Sequence, residues 1–170
     1  MMQNIALGLG TNIGNCIDNL QKAVDELASL IEITAVSSIY ITPPWGVTNQ
    51  PDFHNLCIIG KTKLDPEALL REIKLAEVIL GRRPNVRWGP RLIDIDILFY
   101  NGLVLHKERL NIPHARIPER AFVLVPLAEI APDWVHPENG RTVSQMKTAV
   151  DKDGIQQLET KITFGQPIGH

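Results

Sequence analysis

The sequence predicts an α+β fold with a ferredoxin-like βαββαβ core, in which two helices cover one face of an antiparallel sheet, plus C-terminal additions. First, periodic segments occur in the order strand, helix, strand, strand, helix, strand. Second, the chain has 170 residues, of which 44% are hydrophobic and 21% charged, as in one globular domain. We therefore expect a single domain over residues 1–170, in which the polar tail 146–170 has no predicted structure.

The first half of the chain predicts three strands and one helix. Residues 5–10 form an apolar run that ends in a turn, and residues 33–41 are rich in β-branched side chains. Between them, residues 15–31 carry apolar side chains three and four apart, which predicts a helix. The segment 42–52 contains three prolines and a glycine and is interpreted as a structured loop. A third strand follows over residues 53–62.

The second half begins with a strong helix signal. Asp65 is placed to cap a helix whose first residue is Pro66, and Gly81 is placed to end it. Its predicted buried stripe consists of Leu69, Ile73, Ala76 and Leu80. After it we expect a loop over 82–91, a strand over 92–100 and a helix over 122–130.

Two aspartates alternate with isoleucines in the strand 92–100. Asp94 and Asp96 should share one face with Leu92, Leu98 and Tyr100, while Ile93, Ile95, Ile97 and Phe99 occupy the core face. The two carboxylates would lie about 6.5–7 Å apart along the strand. Such like charges on a half-buried face need a cationic partner, either arginine or Mg²⁺ held together with phosphate. The alternative is an exposed strand face with two solvated aspartates.

Charge is distributed unevenly along the chain. The formal net charge is −2, which argues against a general nucleic-acid binder. Residues 81–120, however, hold an excess of basic side chains, seven of them arginines, and arginine makes forked contacts with phosphate. We interpret this block as a compact polyanion site, such as one for a nucleoside triphosphate, or as a solvated arginine-rich loop.

Other patterns restrict the class of protein. No apolar stretch is long enough to cross a membrane and the start lacks a secretory signal, so we expect a cytoplasmic protein with Cys16 and Cys57 reduced. The glycines near residue 10 complete neither a P-loop nor a dinucleotide-binding fingerprint. Phe53 and Asn55 are two residues apart in a predicted strand, so their side chains should lie on the same face. An aromatic ring and an amide together could bind a flat polar heterocycle, although simple packing explains the pair as well. Phe122 fits either a second stacking ring or the core.

The segment Arg87-Trp-Gly-Pro-Arg-Leu-Ile-Asp-Ile-Asp-Ile-Leu98 resembles the signature of the 6-hydroxymethyl-7,8-dihydropterin pyrophosphokinases of folate synthesis. The resemblance covers roughly residues 4–145 in order and includes the further segments 8–12, 42–46, 50–55, 113–114 and 120–127. It implies a monomer that transfers pyrophosphate from ATP to the hydroxymethyl group of the pterin and releases AMP. It also implies two Mg²⁺ ions, held by Asp94 and Asp96.

The resemblance assigns roles to residues of this chain by position. Arg82, Arg91, Asp94 and Asp96 would be catalytic. The implied pterin-binding residues are Thr42, Pro43, Trp45, Gly46, Phe53, Asn55, Asp94 and Phe122. The implied ATP-binding residues are Leu70, Lys74, Glu77, Arg82, Trp88, Arg91, Leu98, Arg109, Leu110, Asn111, His114 and Arg120.

Two rival interpretations follow from the same residues. A nucleotidyltransferase with paired aspartates on a palm-like sheet would release pyrophosphate rather than AMP. A ferredoxin-like small-molecule sensor would bind its ligand without metal and would not need Arg91, Asp94 and Asp96 together.

Overall fold

The computed structural model describes residues 1–43, 49–81 and 92–165. It is an α+β protein whose main sheet is antiparallel throughout, with the strand order β5-β1-β4-β3-β8 and with β2 also paired to β4. The described strands are β1 (Gln3–Thr11), β2 (Glu32–Val36), β3 (Tyr40–Thr42), β4 (Phe53–Thr62), β5 (Asp94–Tyr100), β6 (Leu105–Lys107), β7 (Leu110–Ile112) and β8 (Gln156–Gln157). The described α-helices are α1 (Cys16–Leu27), α2 (Pro66–Ile79), α3 (Ala121–Ile130) and α4 (Val143–Ala149).

The helices begin where the sequence predicts. Asp65 accepts a hydrogen bond from the Ala68 amide at the start of α2, and Gly81 follows its end with φ +94°. The first helix ends earlier than predicted, at Leu27. The Ser29 hydroxyl donates to the Glu26 carbonyl at 2.7 Å, and this local bond competes with continued helix.

The predicted single strand over 33–41 is wrong, since it consists of β2 and β3. At the break, the Ser37 hydroxyl accepts the Cys57 amide at 2.9 Å and donates to the Ser38 carbonyl at 2.8 Å. A serine side chain therefore replaces part of the backbone pairing with β4, and the register of the pairing shifts by one residue between β2 and β3. The spacing of apolar residues in the sequence does not indicate a hydrogen bond of this kind between a side chain and the backbone.

The main core lies between the sheet and the helices α1 and α2. We call this face of the sheet the helical face; on β1 it carries Ile5, Leu7 and Leu9. The opposite face, called the site face, carries Ala6, Gly8 and Gly10 on the same strand.

The expectation that helices cover only one face is wrong. A second core contains Ala6, Cys57 and Phe99 of the site face, packed against Leu124 of α3 and Met146 of α4. The very apolar helix α3 needs a partner on both sides, which the unassigned tail supplies in part by forming α4. Among the described residues, α3 and α4 therefore leave one end of the site face open for a ligand.

The predicted division of β5 into two faces holds through Leu98 and is wrong for Phe99 and Tyr100. The pairing passes from Leu7–Ile97 to Ala6–Phe99, so Leu98 is the extra residue of a β-bulge. Beyond the bulge, Phe99 lies in the second core and Tyr100 in the main core, the reverse of the predicted alternation.

His136 is buried in surroundings that favour its neutral form. His136 is 5% exposed, and its Nδ1 accepts the amides of Glu138 and Asn139 at 3.2 and 3.3 Å. Burial lowers its pKa from 6.5, against a smaller upward effect of the Glu138 carboxylate.

We expect the contribution of His136 to the free energy of unfolding to be complete above about pH 6.5. This contribution should decrease as the pH falls below that value. In that window the unfolded chain binds more protons at residue 136 than the folded chain does. His136→Asn keeps an acceptor without a titrating group, so its stability should depend less steeply on pH. Urea unfolding at pH 5 and pH 7.5 measures this, and an unchanged slope in the variant would contradict the assignment.

Candidate active site

The two aspartates of β5 lie side by side on the site face, as the sequence predicts. Asp94 pairs in register with Gly10 of β1, and Asp96 pairs with Gly8. Both aspartates are half-buried, while Ile93, the intervening Ile95 and Ile97 are in the main core. The strand thus presents two carboxylates to the same open end of the sheet.

Glycines of β1 form a depression between Asp94 and Asp96 of β5 and the strand β4, and we call this depression the glycine floor. Gly10 pairs with Asp94 on one side and with Asn55 of β4 on the other. A Cβ at Gly10 would lie 2.9 Å from Asn55 Oδ1 and 3.9 Å from Phe53 Cδ1. Only glycine leaves this depression open. Our sequence interpretation missed this role, although glycine at two alternate positions of an apolar strand is its signal.

An amide and a hydroxyl lie on the far side of this floor. Asn55 is 6% exposed, and its Nδ2 donates to Thr42 Oγ1 at 2.8 Å. Phe53 pairs with Thr42 in the β3–β4 ladder, so all three side chains share the site face. Pro43 follows at the surface, and Trp45 and Gly46 lie outside the described residues.

Two basic residues face Asp96 from the segment before α3. Burial lowers the pKa of His114, the Asp96 carboxylate raises it, and Arg120 and Arg116 lower it. Burial also lowers the pKa of the Arg120 guanidinium, again with an opposing effect of Asp96. The His114 amide donates to the Leu98 carbonyl at 3.1 Å, which ties this segment to the bulge of β5.

Arg120 connects the cationic side of the site to an aromatic ring. Its Cζ lies 5.4 Å from the ring centroid of Phe122, which is half-buried at the edge of the second core. Within residues 1–43, 49–81 and 92–165, Arg120 Nε is buried and has no hydrogen-bond partner. A buried donor of this kind suits an anionic ligand.

Glu77 connects α2 to the outer edge of β5. It is 2% exposed; its Oε2 accepts the Ile95 amide at 2.8 Å, and its Oε1 lies 3.1 Å from Lys74 Nζ. The amide of Ile95 lies between the two aspartates in sequence. Glu77 therefore fixes the backbone from which both carboxylates project, and sequence patterning did not show this contact.

The other predicted ATP-binding residues are distributed over several elements. Leu70 is half-buried on α2, and Leu98 is buried at the bulge. In the β6–β7 hairpin, Leu110 is buried in the main core whereas Arg109 and Asn111 are exposed. Arg82, Trp88 and Arg91 lie outside the described residues.

The donor set of the site fits Mg²⁺. Asp94 and Asp96 offer hard carboxylate oxygens, and the unpartnered Arg120 Nε suits the phosphate that would complete the coordination. In the part of the chain that the structure describes, no group of three or more His, Cys, Asp and Glu side chains could hold a metal ion. Two carboxylates with the remaining ligands from phosphate and water is the usual magnesium arrangement beside a nucleotide.

The chain is similar to several proteins of one family. It is 47% identical over 160 residues to the 2-amino-4-hydroxy-6-hydroxymethyldihydropteridine pyrophosphokinase of Methylorubrum extorquens, which covers 93% of this chain and 100% of that protein. The protein of the same name from Synechocystis is 46% identical over 94% of this chain and 82% of its own length.

Solved structures show a related fold. A chain titled Plasmodium falciparum HPPK-DHPS wild type matches with a TM-score of 0.72 at 18% identity, over 87% of this chain and 44% of the solved one. The present chain thus spans less than half of that protein. The sequence model of the 7,8-dihydro-6-hydroxymethylpterin-pyrophosphokinase (HPPK) family matches residues 6–132. Together with the curated relatives, this match shows that the chain belongs to the HPPK family.

Proposed function

We propose that this chain transfers the pyrophosphoryl group of ATP to the hydroxymethyl oxygen of 6-hydroxymethyl-7,8-dihydropterin and releases AMP, a step of folate synthesis. Family membership and the names of the curated relatives support the activity. The observation that carries the proposal is the placement of Asp94 and Asp96 between a hydrogen-bonded amide, Asn55, and a half-buried cation, Arg120.

The pterin would lie over the glycine floor. Asn55 and Thr42 would contact its hydrogen-bonding edge, and Phe53 and Phe122 would stack on its two faces. Pro43, Trp45 and Gly46 would close this side, with Asp94 near the hydroxymethyl group. Because Gly10 leaves room beside Asn55, the ring can approach the sheet backbone.

The triphosphate would lie on the cationic side. Two Mg²⁺ ions held by Asp94 and Asp96 would neutralise phosphate charge and lower the pKa of the attacking hydroxyl. His114 and Arg120 would contact the phosphates beside Asp96, together with Arg82, Arg91 and Trp88. We assign the nucleoside to the residues of α2, the bulge and the β6–β7 hairpin: Leu70, Lys74, Glu77, Leu98, Arg109, Leu110 and Asn111.

In this reaction the protein has to orient two substrates and neutralise the charge of the phosphates. The pterin oxygen forms a bond to the β-phosphorus, and the bond from that phosphorus to the oxygen bridging the α- and β-phosphates breaks. AMP leaves with the bridging oxygen, and the hydroxyl proton passes to water. Glu77 holds the β5 backbone, and therefore both carboxylates, in a fixed position before substrate binds. No covalent protein intermediate is needed.

We also propose that the chain is a single-domain enzyme that acts as a cytoplasmic monomer and binds no nucleic acid. Its fold would contain a ferredoxin-like βαββαβ core, and the residues after α3 would add α4 and β8 to that core. In the described part of the chain, every helix is too short or too polar to cross a membrane.

Product analysis tests the proposed reaction. With ATP, Mg²⁺ and 6-hydroxymethyl-7,8-dihydropterin we expect AMP and the pyrophosphorylated pterin in equal amounts. Release of pyrophosphate would instead indicate nucleotidyl transfer, and binding of pterin without turnover would indicate a sensor.

Phe122→Ala should weaken pterin binding more than ATP binding. Loss of a stacking ring costs about 1–3 kcal/mol, which is roughly 5- to 150-fold in Kd. Phe122→Leu keeps most of the apolar volume and should weaken pterin binding less than Phe122→Ala does. Calorimetric titration with each ligand separates the effects, and an equal loss for pterin and nucleotide would refute the stacking role.

A further inference from the structure

We propose that the C-terminal segment 154–164 positions Thr42 and Pro43, at the end of β3, for binding of the pterin. The inference rests on the proposed function, since that function assigns Thr42 and Pro43 to the pterin. The segment lies beyond residue 132, where the match to the family model ends. Its contacts with β3 and with Pro43 carry the argument.

The segment supplies the outer neighbour of β3. Gln156 and Gln157 of β8 pair with Ile41 and Tyr40, and the Leu158 amide donates to the Ile39 carbonyl at 2.8 Å. Strand β3 contains only three residues, so this pairing provides a large part of its backbone hydrogen bonds. Thr42, which contacts Asn55, is the last residue of that strand.

Side chains fix the start of β3 from two directions. Gln157 Nε2 and Lys161 Nζ donate to Ser38 Oγ at 3.0 and 3.2 Å. Ser38 Oγ in turn donates to Glu129 of α3 at 3.1 Å, and the Tyr40 hydroxyl donates to the same carboxylate at 2.7 Å. The break between β2 and β3 is therefore held between α3 and the C-terminal segment.

The far end of the segment is anchored on the body of the protein. Ile162 is 8% exposed and belongs to the main core. The Thr163 amide donates to Gln21 Oε1 at 3.1 Å, and Gln21 Nε2 donates to the Thr163 carbonyl at 2.7 Å. Because α1 holds this end, the segment can act as a support for β3.

A glycine turn brings the segment against Pro43. Gly154 has φ +82°, and a Cβ there would lie 2.9 Å from Pro43 Cγ and 3.4 Å from Pro43 Cδ. The proline ring is closed onto its own backbone, so it cannot rotate away as a long side chain would. The contact therefore fixes the position of Pro43 at the end of β3, next to the Thr42–Asn55 hydrogen bond.

The test compares two glycines that share a backbone conformation. Gly140 has φ +72°, and a Cβ there would meet no atom within 4 Å. Gly154→Ala and Gly140→Ala therefore introduce similar backbone strain, but only the first strikes Pro43. We expect Gly154→Ala to raise the KM for pterin about fivefold or more over Gly140→Ala, with the KM for ATP within twofold and similar Tm values.

A second variant covers the case in which Gly154→Ala fails to fold. Gln157→Ala combined with Lys161→Ala removes both exposed donors to Ser38 and should raise the KM for pterin about two- to fivefold, again without a matching rise for ATP. The inference would be overturned if Gly154→Ala and the double variant had the same KM for pterin as Gly140→Ala. It would also be overturned if the KM values for pterin and for ATP rose in parallel in these variants.

Calorimetric binding of 6-hydroxymethyl-7,8-dihydropterin accompanies the kinetics. A wild-type chain that binds pterin but produces no AMP would contradict the proposed activity alone, and the comparison of pterin Kd between Gly154→Ala and Gly140→Ala would still decide the inference. A wild-type chain that binds no pterin would contradict both.

Discussion

Replacing Asp96 by Asn is expected to lower kcat by about 10²- to 10⁴-fold, which corresponds to roughly 3–5 kcal/mol of transition-state stabilisation. The substitution removes one negative charge from the pair that would hold Mg²⁺ against the phosphates, and it leaves His114 and Arg120 without their nearby carboxylate. Asp94→Asn should have an effect of the same order, because Asp94 supplies the other carboxylate.

The control for these variants is Asp133→Asn, which removes the same charge from an exposed turn after α3. It should retain wild-type turnover. Circular dichroism and thermal unfolding of all three variants separate lost chemistry from lost fold, since Asp94 and Asp96 are only half-buried. Near-normal kcat in either site variant at saturating ATP, Mg²⁺ and pterin would contradict the metal assignment.

The second large effect is expected from Gly10→Ala. The added methyl group would lie 2.9 Å from Asn55 Oδ1, so Asn55 must move and weaken its 2.8 Å bond to Thr42. It would also fill the floor on which the pterin is proposed to lie. We expect the KM for pterin to rise about tenfold or more, which corresponds to the loss of one or two hydrogen bonds to the ring.

Gly8→Ala is the matched control on the same strand and face. A Cβ there would lie 3.4 Å from Leu98 Cδ2, which is an ordinary contact. The pterin KM of Gly8→Ala should therefore stay within about threefold of the wild type. Steady-state kinetics of both variants provide the comparison, and equal KM values for Gly10→Ala and Gly8→Ala would argue against the glycine floor.

Local patterns were sufficient to predict the start of α2 and the two faces of β5 up to the bulge. The helix over 66–79 has a capping aspartate, a proline at its first position and a terminal glycine, and all three occur as predicted. Asp94 and Asp96 share a face because strand alternation is a local property. The sequence therefore predicted where the two carboxylates lie relative to the core.

Features that depend on contacts between distant residues were not predictable in this way. The bulge at Leu98 reverses the faces of Phe99 and Tyr100, and it depends on the pairing with β1. The bond from Glu77 to the Ile95 amide joins a helix to a sheet edge 18 residues away. The contact between Gly154 and Pro43 links a polar tail with no periodic pattern to the residue that directly follows β3.

The proposed reaction depends on Asp94 and Asp96, which we propose bind magnesium together against the triphosphate of ATP. The most direct measurement is a crystal structure with a nonhydrolysable ATP analogue and Mn²⁺ in place of Mg²⁺, with the ions located by anomalous scattering. We expect metal peaks about 2.0–2.3 Å from oxygens of both carboxylates and of the analogue's phosphates. A fully bound analogue with no metal peak at either aspartate would contradict the account.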